Sequence, residues 1–159
     1  MKTLEFIKLK RIGSKQRSSI FATTISRLPS VLHQSSRFHW NIKGHNFLCT
    51  PQSIRKRCMM TRLKKVDEIA ERILMLGGTP ANKFSDYLKV ANVNEVDKVS
   101  NGDEALNNIL QSISYLIGEE RKILSIASQA GDEVTVSMMS DYLKEQEKLV
   151  WMLVAYSSK

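Results

Sequence analysis

Two carboxylates and a histidine are the residues of this chain whose types and spacing could bind a metal ion. Asp67 and Glu71 lie four positions apart in a segment, residues 66–76, whose apolar residues recur at helical spacing. Side chains four residues apart share one face of a helix. Carboxylate oxygens together with an imidazole nitrogen suit iron, and His39 in the motif FHWNIKG could supply the nitrogen.

The metal-binding interpretation predicts that the two carboxylates are partly buried, because Leu63 and Leu74 fall on the same stripe, and buried carboxylates need a partner such as a metal ion. A second interpretation involves no metal. If this face is instead solvated, Glu68 and Arg72 would form an ion pair one helical turn apart beside it. The histidine, next to Trp40, would then be a packed side chain. Spacing alone leaves both interpretations open.

The elements that must position these residues are helices. In the segment SNGDE, residues 100–104, polar cap residues and acids predict a helix start. Gly131 predicts the end of that helix, and Asp132 the cap of the next one. Two helices of roughly 25 residues or more are typical of a helix bundle. The apolar residues at helical spacing are the predicted core: Leu106, Ile109, Leu110, Ile113, Leu116, Ile117, Leu124, Ala127, Val134, Met138, Met139, Tyr142, Leu143, Leu149, Val150 and Leu153.

The helix that carries the two carboxylates is predicted to end at GGTP, residues 77–80. Glycine permits a left-handed cap there, and proline cannot continue a helix. Residues 81–99 then form a long connection, with one short helix predicted around Ser85–Val90. Residues 10–37 have no stable period, which is typical of a loop, a weak strand or a basic disordered segment.

The net charge of +8 is distributed unevenly along the chain. Residues 1–66 hold 15 Lys and Arg against one acid, Glu5, a net of +14, whereas residues 67–159 hold 9 against 15 acids, a net of −6. A basic arm that binds nucleic acid is one explanation of this split. A shifted reading frame in part of the chain is another.

Other classes of protein are not indicated by the sequence. No apolar run reaches the ~18–20 residues of a membrane span. The start, MKTLEFIKLKRIG, lacks the apolar region of a signal peptide, which favours the cytoplasm. Cys49 and Cys58 have no CxxC spacing and are predicted to be free thiols without a role. Neither a phosphate-binding glycine loop nor a nucleophile motif occurs.

Three stretches, FHWNIKG, DEIAERILMLGGTP and EQEKLVWMLVAY, resemble the Dps family, the DNA-protection-during-starvation branch of the ferritin superfamily. The resemblance is continuous over residues 66–159 and again over residues 38–47. It implies an all-α fold in which residues 1–159 form a single ferritin-like four-helix bundle, with a short extra helix in the central connection. It also implies a hollow homo-oligomeric shell of twelve subunits.

The same resemblance implies a ferroxidase that protects against oxidative stress. Members of the family oxidise ferrous iron, usually with hydrogen peroxide, and store the ferric mineral inside the shell. Their di-iron site is shared across a twofold interface between subunits. Carried over by position, His39 is the first histidine ligand, Glu71 the bridging carboxylate and Asp67 the second carboxylate ligand. Trp40 would lie close to the iron.

The chain departs from the family pattern over residues 10–37 and 48–65. The family has a second histidine twelve residues after the first, where this chain has Pro51, and Arg55 stands where an acid is usual. One hypothesis is that both segments are read in a shifted frame. With suitable codons, a shift restores helical periodicity, the histidine and acidic charge together.

The alternative is a diverged relative with a degenerate iron site. Such a chain would be a non-enzymatic DNA-binding or structural shell protein. Its basic N-terminal residues would contact phosphates, and the affinity would fall steeply with salt.

Overall fold

The computed structural model describes residues 64–80, 83, 85 and 102–157, and these residues form helices and the turns between them. We label the helices α1, described over residues 64–75, α2, Gly102–Gln129, and α3, Glu133–Ser157. Within the described ranges there is no strand. Ser85 is helical, and the rest of the short helix predicted around it lies outside the described residues.

The start of α2 agrees with the sequence. The helix begins at Gly102, and Asp103 and Glu104 occupy its first turn. Acidic side chains are favourable there because the helix dipole places partial positive charge at the N-terminus. The polar cap residues that precede Gly102 lie outside the described residues.

The end of α1 is a glycine cap, as the sequence predicts. Gly77 has a φ of 75°, in the left-handed region that glycine adopts without a steric penalty. Its N–H donates to the carbonyl of Leu74 at 2.9 Å, and the N–H of Gly78 donates to the carbonyl of Ile73 at 2.8 Å. These two bonds satisfy carbonyls that a helix end would otherwise leave unpaired.

The turn between α2 and α3 repeats this cap and adds a second one. Gly131 has a φ of 65°, and the N–H of Asp132 donates to the carbonyl of Ala127 at 2.9 Å. The Asp132 carboxylate then accepts the backbone N–H of Thr135 at 3.1 Å, which caps the start of α3. The predicted helix end at Gly131 and the predicted cap at Asp132 are both confirmed. Because the turn is so short, α2 and α3 run antiparallel side by side.

Alanine at Gly131 should destabilise the protein by about 1 kcal/mol, because a side chain in the left-handed region is strained. Alanine at Gly118, which lies inside α2, should instead stabilise it by about 0.5–1 kcal/mol through higher helix propensity. A Cβ atom would meet nothing within 4 Å at either position, so the backbone alone separates the two variants. Urea unfolding of both variants measures the difference, and equal shifts would contradict the prediction.

Within the described residues the core comprises two clusters of apolar side chains. One joins all three helices and the other joins α2 to α3. The first contains Ile69, Ile73, Leu116, Ile123, Met139 and Tyr142, with Val66, Leu76, Leu124 and Met138 packed against it. The second contains Leu106, Ile113 and Leu153, with Ile109, Leu110, Ile117, Leu149 and Val150 packed against it.

Most of the predicted core residues therefore lie in the core, and one does not. Val134 is 60% exposed. It lies in the first turn of α3, two residues after the cap Asp132. No helix of the described part of the chain is both long and apolar enough to cross a membrane.

Candidate metal centre

The two candidate metal-binding carboxylates lie together on the outer face of α1. Asp67 and Glu71 are both exposed, one helical turn apart. His39 and Trp40 lie outside the described residues, so the structure does not test their part of the site. Among the described residues there is no group of three or more His, Cys, Asp or Glu side chains that could hold a metal ion.

The prediction that neighbouring leucines partly bury these carboxylates is wrong for the described residues. Leu74, on the same stripe, is 56% exposed, and Met75 beside it is 46% exposed. Helix α1 buries a different face, the one that carries Ile69 and Ile73. The described part of the helix thus presents acidic and apolar side chains outward together.

The ion pair that the metal-free interpretation placed beside the carboxylates is also not formed. Arg72 is buried and pairs with Asp132, 60 positions further along the chain, at 2.5 Å. Its Nε–H donates to the Thr135 hydroxyl at 3.0 Å. Glu68 instead accepts a hydrogen bond from the Tyr142 hydroxyl at 2.6 Å, and its carboxylate lies 3.4 Å from the Lys64 ammonium.

This buried network fixes α1 against the turn that joins α2 to α3. Asp132 accepts from Arg72, from the Thr135 hydroxyl at 2.6 Å and from the Thr135 backbone, so its carboxylate is well satisfied. Burial alone would raise the pKa of Asp132, but the Thr135 hydrogen bonds and the Arg72 guanidinium together lower it. The carboxylate therefore stays ionised, and its charge holds Arg72 in place.

Sequence reasoning identified Asp132 as a cap but did not find its partner. The available signal was an arginine directly after Glu71 in an otherwise amphipathic helix. Because Arg72 points inward, the preceding residue Glu71 is turned by about 100° around the helix toward solvent. Arg72, Ile69 and Ile73 are buried, whereas the candidate ligands Asp67 and Glu71 are exposed.

A second polar group surrounds the ring of Tyr142 inside the bundle. The Lys65 ammonium lies 4.4 Å from the ring centre and pairs with the Glu145 carboxylate at 2.8 Å. The hydrogen bond from Tyr142 lowers the pKa of Glu68, against an opposing effect of burial. Burial, followed by the nearby Glu68 carboxylate, raises the pKa of Tyr142. The hydroxyl therefore stays protonated and acts as a donor that joins α1 to α3.

The ferritin-like domain family matches residues 25–159, and the packed helices of the described residues agree with its all-helical fold. Within that class the chain belongs to the Dps family. A DNA protection during starvation protein from Porphyromonas gingivalis is 47% identical over 123 residues, which cover 77% of this chain and 76% of that protein. An uncharacterised protein from Haemophilus influenzae is 49% identical over 118 residues, which cover 74% of this chain and 73% of that protein.

Solved structures agree with the sequence comparison. The crystal structure of the Dps protein from Vibrio cholerae O1 matches with a TM-score of 0.84 and 34% identity, covering 90% of this chain and 89% of that one. Dps from Staphylococcus aureus, at 24% identity, shares the fold with a TM-score of 0.83, and the match covers 91% of this chain and 97% of that one. The predictions of an all-α, ferritin-like fold and of Dps family membership are confirmed.

Proposed function

We propose that this chain is the subunit of an iron-oxidising and iron-storing Dps shell that protects against oxidative stress. The observation that carries the proposal is the pair Asp67 and Glu71, exposed on one face of a helix that Arg72 holds in a fixed rotation. The Dps protein of Vibrio cholerae is described as a member of the ferritin-like diiron-carboxylate proteins, which supports iron as the substrate here.

The proposed site is completed by a second subunit. Glu71 would bridge two ferrous ions and Asp67 would bind one of them, while His39 of the twofold neighbour would bind the other. Carboxylates that face outward beside the exposed Leu74 and Met75 suit a site at an interface, because the apolar side chains would be covered when two subunits meet. Each subunit would contribute to two sites in a shell of twelve. Residues 1–159 would form one domain, and the shell would work in the cytoplasm.

The proposed reaction transfers two electrons in a single encounter. Two ferrous ions lose one electron each to hydrogen peroxide, which takes up two protons and leaves as two water molecules. Holding both ions beside each other prevents the one-electron reaction that releases hydroxyl radical. The role of Asp67 and Glu71 is to hold the ferrous ions close together and to favour the ferric products through their negative charge.

The experiment is anaerobic addition of ferrous iron and then of hydrogen peroxide to the full chain, followed by absorbance. We expect rapid oxidation of two ferrous ions for each peroxide, and ferric mineral that elutes with the assembled shell. Oxidation no faster than that of iron in buffer would contradict the proposal.

A second candidate is a shell that binds DNA or serves a structural role without oxidising iron. It is favoured by Pro51 and Arg55, which stand where the family has a histidine and an acid. Peptide mass spectrometry across residues 44–66 separates the two candidates. Peptides that match the printed sequence favour the second one, whereas an acidic, histidine-containing peptide favours iron oxidation. If the printed sequence is found, retention of DNA by the protein should fall steeply as the salt concentration rises.

A further inference from the structure

Helices α2 and α3 are joined inside the bundle by two side chains that the iron site does not use. The Gln146 side-chain amide donates a hydrogen bond from its Nε2 to Oε1 of Glu120. Glu120 is 1% exposed and belongs to α2, and Gln146 is half-buried on α3. A glutamate in this position is unusual, because acidic side chains are almost never fully buried unless they are paired.

The other oxygen of each side chain has no partner. Glu120 Oε2 and Gln146 Oε1 are both buried, and neither makes a hydrogen bond within the described part of the chain. Both atoms are acceptors when Glu120 is ionised, so they cannot bond to each other. Two buried acceptors without donors are costly, and native structures contain few of them.

A single proton on Glu120 would give both of these oxygens a hydrogen-bond partner. A neutral carboxylic acid donates from one oxygen and accepts at the other, and a primary amide does the same with its N–H and its carbonyl. Glu120 protonated at Oε2 could therefore donate to Gln146 Oε1 while Oε1 accepts from Nε2, which closes a ring of two hydrogen bonds. We propose that Glu120 carries this proton in the folded subunit, and that the acid–amide ring is a pH-sensitive lock between α2 and α3.

The charged groups around the ring leave this proton in place. From α1, the Lys65 ammonium acts on Glu120, but it pairs with Glu145 at 2.8 Å and lies over the Tyr142 ring. From α3, Glu145 adds negative charge, and the Tyr142 hydroxyl donates to Glu68 rather than to Glu120. Burial raises the pKa of Glu120 to about 7, against smaller lowering effects of the Gln146 hydrogen bond and of Lys65.

The direction of the pH effect follows from this shift. The ordinary glutamate pKa is 4.5, so between that pH and about 7 the folded subunit binds one proton more than the unfolded chain. Stability must therefore fall as the pH rises through this window, by somewhat less than tenfold in the unfolding equilibrium for each pH unit. Below this window Glu120 is protonated in both the folded and the unfolded state, and above it Glu120 is ionised in both. Its contribution to stability therefore changes with pH only inside the window.

The test is the variant Glu120→Gln, which replaces the acid by an amide of the same shape. Two amides form the same ring without a titrating proton. We expect the variant to be as stable as the wild type at pH 5. At pH 8 its unfolding constant should be smaller than that of the wild type by on the order of 30- to 100-fold. Urea unfolding of the full chain at fixed subunit concentration measures both values.

A surface carboxylate provides the control. Glu147 is exposed on α3 and pairs with Arg121, so Glu147→Gln should change stability little and equally at both pH values. Infrared spectra of the native protein give a direct readout. The wild type should show a protonated-carboxyl carbonyl band that disappears as the pH rises, and Glu120→Gln should lack it.

Either of two results would overturn the proposal. If the wild type shows no such band at pH 5, or if Glu120→Gln is less stable than the wild type at every pH, Glu120 is ionised. A water molecule or a cation then satisfies the two oxygens, and the proposal is overturned. Neither readout depends on iron, so the result is independent of the proposed function.

Discussion

Replacement of Glu71 by alanine is expected to abolish rapid, peroxide-driven oxidation of ferrous iron while the shell remains assembled. Glu71 is exposed on the subunit, so its removal should change stability by no more than about 0.5 kcal/mol. As the proposed bridging ligand it would contact both ferrous ions, and its loss should weaken both. Because even outer-shell partners of metal ligands contribute 10–100-fold, we expect a rate loss on the order of 100-fold or more. Stopped-flow absorbance after addition of peroxide measures this rate.

The matched control for this variant is Glu147→Ala, which removes an exposed glutamate from α3 rather than α1. It should oxidise iron at the wild-type rate. Size-exclusion chromatography of both variants establishes that the shells are intact. A wild-type rate in the Glu71 variant would remove Glu71 from the site, and a loss of rate in both variants would indicate a general effect of surface charge.

The helix boundaries could be predicted from the sequence because they are determined locally. Gly77 and Gly131 each occupy a left-handed position that few other residues tolerate, and Asp132 caps the next helix through a residue three positions away. Such signals depend on neighbours along the chain. The long amphipathic patterns of α2 and α3 were equally clear, since each helix repeats its apolar stripe over many turns.

The rotation of α1 could be predicted in part. Its apolar residues at positions 66, 69, 73 and 76 recur at helical spacing, and all four lie in the core or pack against it. The stripe that includes Leu74 was expected to bury the carboxylates partly, and the fold leaves it exposed. The pairing of Arg72 with Asp132, 60 positions away, could not be predicted, because long-range pairs leave no periodic signal. The same holds for the pair of Glu120 with Gln146.

The polar interior and the proposed iron site lie on different faces of α1 and serve different purposes. Lys65 and Arg72 point inward and pair with residues of α3 and of the turn before it, whereas Asp67 and Glu71 point outward. Ionised groups used for structure are thereby paired within the subunit. The outward carboxylates are the ones that we propose to bind iron.

Replacement of Arg72 by alanine should cause the largest loss of stability, about 3–5 kcal/mol, because it leaves the Asp132 charge buried without its cation. Arg121→Ala is the control, since it breaks an exposed pair with Glu147 and should cost no more than about 1 kcal/mol. Urea unfolding at pH 7 measures both losses, and a similar loss in the two variants would contradict the prediction.

The pH dependence tests the cause of this loss. In the wild type the lowered pKa of Asp132 contributes stability above the ordinary aspartate pKa of 3.8, and this contribution disappears as the pH falls through the lowered value. The Arg72→Ala variant lacks the cation, so its Asp132 takes up a proton at higher pH than in the wild type. The difference in stability between wild type and variant should therefore be largest near pH 7 and should narrow as the pH falls below about 4. A difference that stays constant over this range would mean that lost packing of the Arg72 side chain, rather than the unpaired charge of Asp132, causes the destabilisation.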